Sequence, residues 1–315
     1  MTGRRPATQQ LSVLLRTFAS ESEGGWERLG ARACAADAAG IDRLVLSDHV
    51  AFGADLSAYA DPSRGGVAGG RQPTGPDGQW LEPLITIAFL AGQTSSVRFG
   101  TSVLQAALRR SVVLAKSAAT LDVLSAGRLD LGVGVGWQRA EYKASGLDFD
   151  RRGDLLDDTL AVCRTLWTET AASHDSEHLS FEEVHQMPKP VQSGGVPVWV
   201  SGTVQPRAMR RLARFGSGWI PWGPDAADVG GGIERMRHAV GDLGRDPAGI
   251  EVAGTLPVVR DARGDVDVAA TMARVPELAD AGVTDFRIGM AVPEDPAIVE
   301  DVMGEIVAGF RSVWY

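Results

Sequence analysis

Short runs of aliphatic and β-branched residues alternate with longer amphipathic ones along nearly the whole chain. That rhythm predicts a parallel sheet whose strands are joined by helices. Strands are expected at 11–16, 42–46, 97–104, 128–135, 196–200, 218–221, 250–259 and 284–290. Segments with apolar residues at helical spacing follow at 26–39, 82–93, 111–124, 153–167, 205–215, about 225–243, 265–281 and 296–310. Gly40 stands where a left-handed cap would end the first helix. A doubly wound open sheet would show the same alternation. Two features favour a (β/α)8 TIM barrel, one domain over residues 1–315. No G-x-G-x-x-G turn follows the first strand, and eight strand–helix units close one ring with no exposed edge.

Two stretches interrupt the rhythm and read as insertions, about 51–80 and 170–195. The first has six glycines after Gly53, three prolines and few apolar anchors. It follows the second strand, so it lies either as a disordered surface loop or as a lid over the mouth of the barrel. The second carries His174, His178 and His185 among acidic residues, but no paired-ligand motif such as H-E-x-x-H. A solvated insertion without metal is the expectation.

Composition narrows the function classes. A hydrophobic fraction of 44% in 315 residues supplies a large core. The net charge of −9 speaks against nucleic acid as a partner, because phosphates need a basic face. No apolar run is long enough to span a bilayer. The start of the chain, Met1-Thr2-Gly3-Arg4-Arg5-Pro6, has a basic pair but no apolar region or cleavage site after it. A cytoplasmic enzyme acting on a small molecule is the expectation. Cys34 and Cys163 fall inside helical segments, which suits buried thiols better than a disulfide.

In a barrel, the active site forms where strands end and the following loops begin. The unusual residues of this chain gather there. Asp48 and His49 follow the second strand, Thr101-Ser102-Val103 ends the third, and Gly132 to Trp137 ends the fourth. Ser201-Gly202-Thr203 follows the fifth, and Trp219 and Trp222 bracket the sixth. The Gly134-Val135-Gly136 turn lets backbone approach a flat or anionic ligand, or equally serves tight strand–helix packing. Ser201-Gly202-Thr203 precedes a helix and so either holds a phosphate or merely caps it through Thr203. An ordinary imidazole exchanges its proton near neutrality, so the residue type at His49 suits proton transfer, with Asp48 beside it as a positioning partner or a structural hydrogen-bond acceptor.

Taken together, several runs resemble the luciferase-like monooxygenase superfamily. They include 41–49, Glu82-Pro83-Leu84, Arg98 to Val103, Ala115 to Asp122, Ser125-Ala126-Gly127-Arg128, and Gly132 to Trp137 with Glu141-Tyr142. The likeness continues through Gly146 to Phe149, Arg152-Gly153, Leu166-Trp167, Pro197 to Thr203 and Gly218 to Pro221, so it spans roughly residues 10–225 in the family's order. The resemblance implies a homodimeric barrel binding reduced FMN or coenzyme F420. It implies that Thr101-Ser102-Val103 passes behind the ring, often with a non-prolyl cis peptide, here Ser102–Val103. It also implies that the Gly134-Val135-Gly136 and Ser201-Gly202-Thr203 turns hold the ribityl phosphate, with Trp137 beside them, and that His49 is the active-site histidine. The spelling Ser47-Asp48-His49 and Gly136-Trp137 resembles the deazaflavin-using branch. Sugar-phosphate dehydrogenase members carry Glu where this chain has Trp137, so that substrate is not carried over. The expected activity is F420-dependent hydride transfer to or from a small organic substrate. The alternatives are an FMN monooxygenase using oxygen and a barrel that binds flavin without turnover.

Overall fold

The computed structural model describes residues 9–20, 25–64 and 66–314. The N-terminal residues with the basic pair lie outside them. Eight parallel strands close a barrel: β1 (Gln10–Leu14), β2 (Arg43–Leu46), β3 (Arg98–Thr101), β4 (Leu129–Val133), β5 (Val198–Gly202), β6 (Gly218–Pro221), β7 (Glu251–Leu256) and β8 (Asp285–Ala291). They stand in chain order around the ring, and β1 pairs with both β2 and β8. Strands β2, β4 and β6 are buried along their whole length, as strands covered on both faces must be.

The helices of the outer layer are α1 (Leu29–Ala38), α2 (Pro83–Ala91), α3 (Ser111–Leu124), the short α4 (Arg139–Ala144), α5 (Arg152–Thr168) and α6 (Pro206–Phe215), followed by α7 (Pro224–Ala227), α8 (Val229–Asp242), α9 (Val268–Met272), α10 (Val275–Ala281) and α11 (Pro296–Ser312). Gly40 ends the first helical segment at φ 87°, as its position predicts. The helices expected over 225–243 and 265–281 are each divided in two. The first breaks at Asp228, whose side chain caps α8 through Gly231 N. The second breaks at Ala273 and Arg274, and Pro276 lies in the first turn of α10. Strand β3 ends at Thr101, the Ser102–Val103 peptide that follows is cis, and Leu104 rejoins only as a single bridge to Val133.

At the N-terminal end of the barrel a buried ionic cluster replaces the usual aliphatic packing. Arg43 contacts Asp130 and Asp285, both at 3.0 Å, and lies 4.7 Å over the ring of Trp199. Burial pulls the Arg43 guanidinium toward losing its proton, and the facing carboxylates of Asp285 and Asp130 outweigh that and hold its pKa above the ordinary value. This end of a barrel serves stability and leaves the other end for function.

Both insertions are folded. Residues 18–19 and 79–80 pair as a small antiparallel ribbon, so the 51–80 segment is tied back to the end of β1. Trp222 Nε1 donates to Gly66 O at 3.3 Å, Gly53 N to Gln138 Oε1 at 2.7 Å and Trp80 Nε1 to Thr74 Oγ1 at 2.9 Å. The 170–195 segment forms a hairpin of Ala172–Asp175 against Ser180–Val184. Two of its three histidines have protein partners: His174 bonds Asp158 at 2.8 Å, and His178 meets Arg151 at 3.3 Å. Among the described residues no group of three or more His, Cys, Asp or Glu side chains stands in a metal-holding arrangement, and no helix is long and apolar enough to cross a membrane. Cys163 is buried, which pushes its thiol up to about 12, and Cys34 Sγ lies 3.3 Å from Gln93 O.

Candidate active site

A cavity of about 550 Å³ opens at the C-terminal ends of the strands, a size typical of small-molecule and cofactor sites. It is lined by Asp48, His49, Ser102, Val103, Gly134 to Trp137, Ser201 to Thr203 and Trp222, whereas Thr101, Gly132, Val133 and Trp219 of the strand ends picked out from the sequence are not in the lining. Thr101 is buried beneath the cavity, where its hydroxyl donates to Gly132 O at 2.7 Å. The first insertion contributes Tyr59, Pro62, Ser63, Gln72, Pro73 and Trp80 to the lining, so it is a folded part of the cavity wall.

His49 and Asp48 are brought to the same wall, but not as partners of each other. The Asp48 carboxylate accepts from Arg109 at 2.7 and 3.0 Å and from Gln105 N at 2.9 Å, while Arg109 also bonds Glu82 at 2.7 Å. The group that holds His49 is Glu141, on α4. Its carboxylate is fully buried, lies 3.2 and 3.3 Å from His49 Nδ1, and accepts from Val50 N at 2.6 Å and Ala51 N at 3.3 Å. This corrects the expectation that Asp48 positions the histidine. The physical reason is that consecutive side chains diverge at a strand end, so Asp48 turns toward Arg109 while the ring turns toward α4. A carboxylate fed by two backbone amides accepts one more hydrogen, which assigns the Nδ1 proton to the Glu141 side. His49 Nε2 then has no hydrogen-bond partner among the described residues.

Aromatic rings surround His49. Phe52 lies at 4.5 Å, Trp80 edge-on at 4.8 Å and 88°, and Trp137 edge-on at 5.7 Å and 76°. The Gly134-Val135-Gly136 turn sits behind them, and both meanings of its glycines find a place. A Cβ on Gly134 would stand 2.6 Å from Val103 Cγ2, and one on Gly136 (φ 70°) would stand 2.2 Å from Gln105 Oε1.

Three strands further round the ring the character changes. Ser201, Gly202 and Thr203 lead to α6, whose N-cap is Gln205 and not Thr203. Arg152, Arg207 and Arg211 line this end. A Cβ on Gly153 would have Arg211 Nη2 at 3.6 Å and Arg207 Nη1 at 3.9 Å, so the two guanidiniums converge there. Arg211 is held by Asp157 at 2.6 Å, and Arg152 lies 3.9 Å over Phe149 with its buried Nε unpartnered. An orphaned guanidinium donor, two converging arginines and a helix N-terminus make a donor set that fits a phosphate. The residues present thus fit a phosphate-bearing cofactor such as FMN or F420, whose phosphate Arg152, Arg207 and Arg211 would hold.

Sequence reasoning missed Arg109, Gln105, Arg207 and Arg211, and quoted Glu141 and Arg152 without a role. The spacing of Arg207 and Arg211, one turn apart at the start of a helix after a strand-end Ser-Gly-Thr, was the available signal. Nothing local marks Glu141, which lies 92 residues from the histidine it holds.

A profile of the luciferase-like monooxygenase family matches residues 10–273. A phthiodiolone/phenolphthiodiolone dimycocerosates ketoreductase of Mycobacterium kansasii is 29% identical over 279 residues, which cover 85% of this chain and 74% of that protein. Among solved structures, an F420-dependent secondary alcohol dehydrogenase in complex with an F420-acetone adduct is similar with TM-score 0.73 at 16% identity, over 96% of this chain and 99% of that one. The oxygenating constituent of 3,6-diketocamphane monooxygenase from Pseudomonas putida, a type II Baeyer–Villiger enzyme in complex with FMN, is similar with TM-score 0.72 at 14% identity, over 95% and 96%. A closed eight-stranded barrel, a cavity at its C-terminal end and a profile match across most of the length agree: the chain belongs to the luciferase-like monooxygenase family.

Proposed function

We propose that the chain is an F420-dependent oxidoreductase that moves a hydride between the deazaflavin and a small organic substrate. The observation that carries this reading is His49. Its Nδ1 is fixed by buried Glu141, and its Nε2 is left without a protein partner at a cavity whose other end is cationic. When bound, the deazaflavin supplies or accepts the hydride. The chain's part is to hold or release a proton at His49 Nε2, as the O–H bond of an alcohol product forms or that of an alcohol substrate breaks. Glu141, which also accepts from Val50 N and Ala51 N, holds the ring in place while that proton moves. The names of the mycobacterial ketoreductase and the F420-dependent dehydrogenase support a carbonyl or alcohol substrate. The likeness to an FMN-bound oxygenase supports the second reading, in which reduced FMN and dioxygen take part. Oxygen separates the two. Turnover of a secondary alcohol or ketone with F420 in strictly anaerobic buffer is the expected result, and an absolute requirement for dioxygen would contradict it.

The exposed apolar side chains of α2 and α3 support a homodimer. Ile85 and Phe89, one turn apart on α2, are 72% and 58% exposed, and Val113 and Leu124 on α3 are 63% and 70% exposed. Two adjacent apolar helix faces can pair with themselves across a two-fold axis. Sedimentation of the double variant I85E/F89E is expected to show a monomer where the unaltered chain sediments as a dimer.

A further inference from the structure

The two ends of the cavity differ in chemistry, and the difference bears on the substrate. The charged side chains in the lining are Asp48, Asp150, Arg152, Arg207 and Arg211. Asp48 is bound by Arg109 through two hydrogen bonds, and Asp150 by Arg139 through bonds of 3.1 and 2.7 Å. Arg152 starts α5, and Arg207 and Arg211 lie one turn apart on α6, on the β4–β5 side. On the β1–β2 side, around His49, the lining carries no side-chain cation other than the histidine itself.

What that side does carry is aromatic. Phe18 and Trp80 stack with centroids 4.4 Å apart and planes at 16°, which makes one flat double-thickness wall. Tyr59 meets Trp137 edge-on at 5.3 Å and 69°, and Trp222 closes over from β6 with its Nε1 on the insertion's backbone at Gly66. Trp80 Nε1 is taken by Thr74 Oγ1, so its polar edge is turned into the insertion. Trp80 and Tyr59 belong to the first insertion. The surface met by a substrate next to His49 is therefore built partly from the insertion.

We infer that the aromatic wall of Phe18, Tyr59, Trp80 and Trp137 selects a neutral, flat, unsaturated carbonyl compound, or the corresponding alcohol, as the substrate. This rests on the oxidoreductase reading above. Offset or edge-on ring contacts favour a planar π-system over a saturated ring of the same size. A carboxylate or phosphate on the substrate would be desolvated at this wall with no lysine or arginine among the described lining residues on that side to meet it.

The test is equilibrium binding, followed by intrinsic tryptophan fluorescence, with and without F420 or FMN. The probes are acetophenone, cyclohexyl methyl ketone and 4-acetylbenzoate. Acetophenone is expected to bind about tenfold more tightly than either of the others. The variant Trp80→Leu is expected to lose that preference, while Trp80→Phe keeps it and cofactor affinity is unchanged in both. Equal or tighter binding of 4-acetylbenzoate overturns the inference. So does a Trp80→Leu variant that binds cofactor poorly yet keeps the preference for acetophenone, since the wall then clasps the cofactor. Failure of the unaltered chain to bind either cofactor overturns the oxidoreductase reading, and the probe preference is still read on the cofactor-free chain.

Discussion

Replacing His49 by alanine is expected to lower kcat by about 10²–10⁴-fold, the usual worth of a positioned proton donor, with little change in cofactor affinity. The ring stands on the aromatic side of the cavity, three strands from the arginines that fit a phosphate, so its removal leaves those contacts in place. Its Nδ1 is anchored by Glu141, and Nε2 is the only nitrogen left to exchange a proton. Glu141→Gln keeps an acceptor for Val50 N and Ala51 N but removes the charge that stabilises an imidazolium. A smaller loss in kcat is expected, with KM little affected. Steady-state kinetics on the two variants, with cofactor titrations beside them, check both statements. A His49→Ala enzyme of unaltered kcat would leave a barrel that binds cofactor without using the histidine.

The second large effect concerns folding. Gly132→Ala is expected to destabilise the chain by about 3 kcal/mol or more, beyond the ordinary cost of overpacking. A Cβ at Gly132 would stand 1.9 Å from the backbone oxygen of Thr101 and 3.0 Å from Ile220 Cδ1. A backbone oxygen cannot rotate away as a side chain can, so β3 and β4 would have to separate. That movement would disturb the hydrogen bonds of Gly132 O with Thr101 Oγ1 and Leu104 N, both 2.7 Å. Thermal unfolding followed by circular dichroism checks it. An alanine variant as stable as the parent would mean that the β3–β4 spacing is looser than described.

Much of the fold was legible because barrel strands write their burial into the sequence. The run Arg43-Leu44-Val45-Leu46 is apolar after its first residue and buried throughout, and Gly40 marks the helix end before it. The breaks at Asp228 and ahead of Pro276 were written in capping chemistry, yet apolar spacing runs across both and hides them. The ribbon of residues 18–19 with 79–80 was not legible, since each strand has only two residues and the pairing spans a long insertion.

The site was legible as a set of strand ends but not as a network. His49, Ser102, Val103 and the two turns fall at the cavity because topology places every strand end there. The partner of His49 depends instead on how α4 meets the loop after β2, which no local pattern encodes, so adjacency in sequence pointed to Asp48. Arg109 explains why that was misleading: a buried cation claims both oxygens of Asp48.

The central claim, that a deazaflavin occupies the cavity between His49 and the three arginines, is tested most directly by titrating the purified chain with F420 and with FMN under the same conditions. The prediction is saturable one-to-one binding of F420, weakened by substituting Arg152 or Arg211 with methionine, and markedly weaker binding of FMN. Tight binding of FMN with no affinity for F420 would contradict it.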